Sequence, residues 1–128
     1  MKIILFAALL VSGLICDLAT NPKEVAPGEE FELKYRETVR IHDTNLSLTF
    51  SSLKEDSRCP EGAVCVWAGN AKIGMTADAV EFELNTTLEP AQAQFSGYTI
   101  TLIAVSPYPK LNGMHKPEDY SARLIVSR

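Results

Sequence analysis

The sequence is poor in the residues that proteins use to bind polyanions. It carries 12 Lys and Arg against 16 Asp and Glu, for a formal net charge of −4 at pH 7. Proteins that bind nucleic acid or anionic lipid neutralise phosphate groups with an excess of Lys and Arg, and that excess is absent here. We therefore expect no nucleic-acid partner, and an association with a membrane only through an attached lipid.

Recognisable catalytic and metal-binding motifs are also absent. The chain has no G-x-S-x-G or H-E-x-x-H motif, and it lacks a P-loop and a dinucleotide-binding fingerprint. Its two histidines, His42 and His115, show no metal-ligand spacing to the cysteines. These absences predict no metal, no cofactor and no catalytic residue. Catalytic triads assemble from distant positions, however, so a small extracytoplasmic enzyme is kept as the third candidate.

Cysteine is scarce, and the first of the three cysteines ends an N-terminal apolar segment. Lys2 is followed by an apolar run, small residues and then Cys16. This pattern predicts a signal peptide over residues 1–16 and an exported protein, because the run is too short to span a bilayer. A Cys at this place suggests a lipoprotein in which Cys16 carries the lipid. The preceding residue, Ile15, is larger than the usual small side chain, so ordinary cleavage nearby is the alternative.

The rest of the chain, about 110 residues, has the size of one domain. Residues 17–28 carry Pro and Gly without periodicity and are predicted to be a tether, followed by a single β domain over residues 29–128. Alternation of apolar and polar residues is clearest over 30–35, 46–51, 72–77, 80–85 and 120–127. Short strands at this spacing predict an all-β fold, an antiparallel β-sandwich of about seven strands that is immunoglobulin-like in outline, with a small barrel as the alternative.

Three stretches depart from simple alternation. Residues 98–105 are apolar on both faces, which predicts a central strand. Residues 86–97 are predicted to be a polar connection. Residues 106–119 are predicted to be a long loop, which compact domains seldom carry without a reason.

Residues 56–70 differ most from the rest of the chain. They contain the only closely spaced cysteines, Cys59 and Cys65, and the only tryptophan, Trp67. Export would place these cysteines in an oxidising compartment, so we predict a disulfide between them. The closed loop is so short that the bond stabilises the fold by only about 2 kcal/mol, and its expected role is to fix the shape of the loop.

Three side chains of this stretch are candidate binding residues. Trp67 is expected to pack against the disulfide or cover an end of the core, or, if exposed, to anchor a partner. Arg58 is expected to bridge a nearby carboxylate, such as that of Asp56, and so order the loop. Gly69 and Asn70 predict a turn or bulge before the next strand.

The stretch also carries a family resemblance. The run Asp56-Ser57-Arg58-Cys59-Pro60, followed by Cys65-Val66-Trp67-Ala68-Gly69-Asn70-Ala71, resembles the signature of a family of small bacterial secreted proteins and lipoproteins of unknown function. The similarity extends through the flanking strands. The resemblance implies an extracytoplasmic β-rich domain and supplies no catalytic residues.

These patterns favour an exported, envelope-associated, non-enzymatic domain with a binding or structural role. It would act in the periplasm, at the outer membrane or cell surface, or as a secreted protein, on a protein or a small ligand. The alternative is an inhibitor or other loop-presenting binder of a secreted enzyme. In that case the disulfide would hold residues 60–64 outward and reduce the entropy lost on binding.

Overall fold

The computed structural model describes residues 22–128, and most of the regular structure there is β-strand. The predicted signal segment 1–16, with Cys16, lies outside the described residues. One 3-10 turn, Pro117–Asp119, precedes the last strand. The strands are β1 (Lys23–Val25), β2 (Glu30–Lys34), β3 (Thr38–Ile41), β4 (Ser47–Asp56), β5 (Ala71–Ala77), β6 (Val80–Asn85), β7 (Gln92–Phe95), β8 (Tyr98–Ser106) and β9 (Ser121–Ser127).

The strands form two sheets around one core. The first sheet has the order β1-β3-β4-β5-β6, and the second has the order β2-β9-β8-β7. The sheets do not close into a barrel, so the predicted all-β sandwich is confirmed. Every pairing is antiparallel except that of β1 with β3. Strands β3 to β6 follow one another as adjacent hairpins, which differs from the Greek-key connections of immunoglobulin domains.

Within residues 22–128 the sandwich has nine strands, where the alternation predicts about seven. β1 lies within residues 17–28, predicted as a tether, and β7 lies within residues 86–97, predicted as a connection. Both are short edge strands whose side chains are exposed or half-buried. β1 therefore shows no apolar alternation, and the alternation of Gln with Ala93 and Phe95 in β7 is too short to indicate a strand.

The hydrophobic core lies between the two sheets and consists of the side chains on the inward face of most strands. At about 1.5–3 kcal/mol for each large apolar side chain removed from water, this burial is the main term that favours the fold. Its largest fully buried members come from both sheets: Leu33, Ile41, Leu48, Phe50, Ile73, Met75, Leu84, Ile100 and Leu124.

β8 is an interior strand of the second sheet, between β7 and β9, so the predicted central strand is confirmed. Its pairing with β9 shifts register between Leu102 and Ala104. Ile100 and Leu102 are buried before the shift, whereas Val105 and not Ala104 is buried after it. The β-bulge thus moves the buried face by one residue, which accounts for apolar residues at both odd and even positions.

Three long connections meet at one end of the sandwich, which we call the loop end. They are the cysteine loop (57–70), the 86–91 loop and the 107–120 loop. They share this end because the hairpins are antiparallel, so that β4, β6 and β8 all finish there. The opposite end carries tight turns such as Asp78-Ala79, in which both residues have positive φ.

Candidate functional site

Arg58 is the central side chain of the loop end. It is only 5 % exposed, and it forms an ion pair with Asp56 at the end of β4. Its Nε donates to Oδ1 of Asp56 at 2.7 Å, and its Nη2 donates to Oδ2 at 2.9 Å. The predicted pairing of Arg58 with Asp56 is therefore present, in a bidentate and buried form instead of a surface contact.

The same guanidinium ties the cysteine loop to the second sheet. Nη1 of Arg58 donates to the carbonyl of Val105, and Nη2 donates to the carbonyl of Pro107 at 2.7 Å. The ring of Tyr108 lies against the guanidinium, 4.6 Å from its central carbon. These partners are 47 to 50 residues away in the chain, and nothing in the local sequence signals them. Arg58 therefore fixes the 107–120 loop as well as its own.

Tyr120, the last residue of the 107–120 loop before β9, completes this network. Its hydroxyl donates to Oδ2 of Asp56 at 3.1 Å. Burial of Asp56 opposes ionisation, but the hydrogen bonds and positive charge of Arg58, with the Tyr120 hydroxyl, outweigh it and lower the pKa of Asp56. Burial, followed by the hydrogen bond to the Asp56 carboxylate, raises the pKa of Tyr120. At neutral pH, Asp56 is thus an anion enclosed by donors.

Asn70 joins the cysteine loop to the 86–91 loop. Its side chain is fully buried, and its Oδ1 accepts from the backbone N–H groups of Thr87 at 3.0 Å and Leu88 at 3.2 Å. Its Nδ2 donates to Oδ1 of Asn85 at 2.9 Å, and Asn85 in turn donates to the carbonyl of Pro90. The sequence predicts a turn at Asn70, whereas the structure gives its side chain the role of a clamp between loops.

The base of the cysteine loop is a narrow backbone pairing. The N–H of Ser57 donates to the carbonyl of Asn70 at 2.8 Å, and that of Cys59 donates to the carbonyl of Ala68 at 2.9 Å. Gly69 has φ of +76°, and a Cβ built on it would lie 1.9 Å from the carbonyl oxygen of Ser57. Glycine is therefore required at this position both by its conformation and by the close approach of the two strands of the loop.

The disulfide between Cys59 and Cys65 closes the outer part of the loop, as predicted, with a Cα–Cα distance of 5.9 Å. A turn follows Pro60, whose carbonyl accepts from the N–H of Ala63 at 3.1 Å. Three exposed large apolar side chains come next, and they lie in what we call the apex, residues 64–67. Val64 is 103 % exposed, Val66 is 104 % exposed and Trp67 is 51 % exposed. Glu61, Gly62 and Val64 of the predicted segment 60–64 are exposed as well, so the apex overlaps that segment at Val64 and extends it to Trp67.

Exposed apolar side chains concentrate at the loop end. Among the described residues, eight large apolar side chains are exposed, and seven of them lie on the cysteine, 86–91 and 107–120 loops. The eighth, Val80, lies at the opposite end, beside the β5–β6 turn. The seven are Val64, Val66, Trp67, Leu88, Tyr108, Leu111 and Met114. Such clustering on linked loops is typical of an interaction surface.

The two histidines lie at opposite ends of the sandwich. His42 contacts the exposed carboxylates of Glu24, at 3.0 Å, and Asp43, at 3.3 Å. His115 lies at the loop end, where its Nε2 is 2.9 Å from the carbonyl oxygen of Tyr108. Within residues 22–128, no Ser, Thr or Cys side chain hydrogen-bonds to either ring. No group of three or more metal-ligating side chains is assembled in that range.

The fold and the site define an all-β sandwich with a clamped, apolar loop end. Comparison of the chain with protein-family models, with curated proteins and with solved structures gave no match. The bacterial family resemblance of residues 56–71 therefore stays a prediction. In the described part of the chain, no helix is long and apolar enough to cross a bilayer.

Proposed function

We propose that this chain is an exported binding domain whose partner is a protein that docks on the loop end. The observation that carries the proposal is the concentration of exposed apolar side chains there, seven of the eight in the described residues. Isolated exposed apolar residues are normal on protein surfaces, whereas a cluster on one set of loops is a feature of interaction sites. Loops on a rigid β scaffold are also the usual carriers of binding function.

The clamps support the proposal because they make the surface rigid before it meets a partner. Arg58 links the cysteine loop to the 107–120 loop, and Asn70 links it to the 86–91 loop. Side chains and loops that are ordered in advance lose less entropy on association. A surface fixed in this way is suited to binding without any chemical step.

The shape of the loop end favours a protein partner over a small molecule. Small ligands are usually enclosed in a concave pocket, where most of their surface is buried. Here Val64, Val66 and Met114 project outward and are almost fully exposed. A cavity of about 380 Å³ lies beside Met114, between the end of β4 and the 107–120 loop. It would take a side chain of the partner next to Met114.

Export and attachment to the envelope are part of the same proposal. The basic and apolar start of the chain has the pattern of a secretory signal, and Cys16 stands where a lipid anchor would be attached. The Cys59–Cys65 disulfide would persist in the periplasm, at the outer membrane, on the cell surface or in the medium, all of which are oxidising. We therefore propose an envelope-associated or secreted location.

The test is partner capture from native envelope extract, with variants that separate the two ends of the domain. Trp67→Asp and Met114→Asp each place a charge in the proposed interface, and Val80→Asp is the matched control at the opposite end. We expect a partner that the wild-type protein and the control capture and that both loop-end variants lose. Capture that is insensitive to Trp67→Asp and Met114→Asp would refute the proposal. Mass spectrometry of the mature N-terminus tests the lipid on Cys16.

A further inference from the structure

We propose that the apex, residues 64–67, inserts into the substrate cleft of an extracytoplasmic peptidase that accepts small aliphatic side chains, and that the domain inhibits this enzyme. The inference rests on the proposed function and names the class of partner. It differs from the loop-presenting alternative predicted from the sequence in the segment that makes the contact. That segment is residues 64–67, which shares only Val64 with residues 60–64.

The exposure of the apex favours a concave partner. Val64 and Val66 are as accessible as they would be in an isolated peptide. A flat surface buries only one side of a side chain that projects in this way, whereas a cleft surrounds it. Binding energy concentrates on side chains that are fully removed from water in well-packed pockets. The two valines are therefore the natural anchors in a cleft.

The backbone of the apex is available for pairing with another chain. In the described structure, no backbone N–H or C=O group of residues 64–67 bonds to another backbone group. The neighbouring groups, by contrast, are engaged, since the N–H of Ala63 bonds to Pro60 and the carbonyl of Ala68 accepts from Cys59. Peptide-recognising clefts bind a segment through its main chain and take alternate side chains into pockets. Val64 and Val66 have that two-residue spacing.

The apex is also held in place from both sides. Cys65 lies within it and is bonded to Cys59, and the loop base is fixed by Arg58 and Asn70. A flexible peptide loses conformational entropy when it enters a cleft, and a segment ordered in advance loses less. The apex is thus expected to bind more tightly than a linear peptide of the same sequence.

The chemistry of the segment indicates which clefts fit. Residues 62–68 read Gly-Ala-Val-Cys-Val-Trp-Ala and carry no charged side chain. A pocket that selects a basic or an acidic side chain by charge would be left with an unpaired buried group, which is costly. Apolar pockets for small aliphatic side chains are filled by the valines without that cost. Trp67, half-exposed at the end of the segment, would contact the rim.

The experiment measures inhibition by the oxidised protein, produced with its own leader. The panel consists of serine and cysteine peptidases with primary specificity for small aliphatic, aromatic or basic residues, assayed on fluorogenic peptides. We expect competitive inhibition of enzymes of the first group alone. Val64→Asp and Val66→Asp should weaken inhibition by about 100-fold or more, because each buries an unpaired charge. Val80→Asp, the control, should stay within about twofold of the wild type.

Two outcomes would overturn the inference: no inhibition of any enzyme with aliphatic specificity, or inhibition that survives both apex substitutions. Val64 and Val66 make no core contact, so the unfolding temperature of both variants should match that of the wild type. The capture experiment separates this inference from the broader one. If the partner captured through Trp67 and Met114 is not a peptidase, the proposed binding surface is supported and the inhibitor proposal is refuted. If no partner is captured, both proposals are refuted.

Discussion

Arg58→Ala is the most demanding test of how the loop end is built. The substitution removes both hydrogen bonds to Asp56 and those to the carbonyls of Val105 and Pro107. It also removes the stacking contact with Tyr108. The Asp56 side chain is only 9 % exposed, so its charge would keep only the Tyr120 hydroxyl as a side-chain partner.

The expected loss of stability is large. Removing one partner of a buried ion pair costs about 3–5 kcal/mol, because the remaining charge stays buried and unpaired. Domains of this size unfold with a free energy of about 5–15 kcal/mol, so the variant would keep only part of its stability. At about 4 °C for each kcal/mol, the unfolding temperature should fall by about 12–20 °C.

The assay is urea and thermal unfolding at pH 7, with Arg123→Ala as the matched control. Arg123 also pairs with a carboxylate, that of Glu30 at 3.7 Å, but both side chains are more than half exposed. Its removal should change stability by less than about 1 kcal/mol. Adding Asp56→Asn to Arg58→Ala should restore at least about 1 kcal/mol, because it removes the unpaired charge. Equal losses for the two arginine variants would refute the assignment of Arg58 as a buried clamp.

The pH dependence of the same variant gives a second readout. In the wild type the pKa of Asp56 is lowered, so its stabilising contribution is present above its ordinary pKa and is lost only as the pH falls through the lower folded-state value. In Arg58→Ala, burial is no longer offset by Arg58, and the pKa of Asp56 should rise. The folded variant then takes up a proton more readily than the unfolded chain, so lowering the pH stabilises it. The difference in the free energy of unfolding between the wild type and Arg58→Ala should become smaller as the pH falls from 7 to 4. A difference that does not change with pH would contradict this account.

Three further substitutions test the rest of the loop end. Replacing Cys59 and Cys65 together by Ser should lower the free energy of unfolding by only about 2 kcal/mol in urea titrations, because the disulfide closes a short loop and the base is clamped separately. The N–H of Ala63, which bonds to the carbonyl of Pro60 inside the closed loop, should then exchange faster with solvent. Gly69→Ala should lower the free energy of unfolding by about 2 kcal/mol or more. Gly62 has a similar positive φ but open space around it, so Gly62→Ala should lower the free energy of unfolding by only about 1 kcal/mol. Asn70→Ala should lose about 2–4 kcal/mol and expose the backbone N–H groups of the 86–91 loop to exchange, since it leaves buried donors without a partner.

The strands with one buried face, including the edge strand β2, could be predicted from the sequence, whereas the short edge strands β1 and β7 could not. A strand such as β2 shows its burial in the alternation of Phe31 and Leu33 with charged residues. β7 reads Gln-Ala-Gln-Phe, and its alternation covers only four residues, of which Ala93 and Phe95 are half-buried. The bulge at Leu102 shows in the sequence only as apolar residues on both faces of 98–105, a pattern that a central strand without a bulge would also give.

For the candidate site, local partners were predictable and distant ones were not. Asp56 and Arg58 are two residues apart, and the cysteines needed only the oxidising compartment that the N-terminal apolar run predicts. The other acceptors of Arg58 are backbone carbonyls of Val105 and Pro107, and any residue can supply a carbonyl. The same holds for Asn70, which accepts from two backbone N–H groups. Such contacts follow from where the topology brings the loops, and not from the identity of the partner residue.

The use of buried polar clamps follows from the exposure of the loop end. Long loops can be fixed by packing apolar side chains beneath them, but at this end seven large apolar side chains are exposed. Hydrogen bonds from Arg58 and Asn70 hold the loop backbone, so that Val64 and Val66 are not needed for packing. Buried polar groups contribute less to stability than apolar residues of similar size, yet they fix a single geometry when all their partners are present. Both clamps act on backbone groups, so apex side chains such as Val64 and Val66 can be substituted without destabilising the fold. The side chains of the loop end can therefore change to fit a partner while the backbone that carries them stays the same.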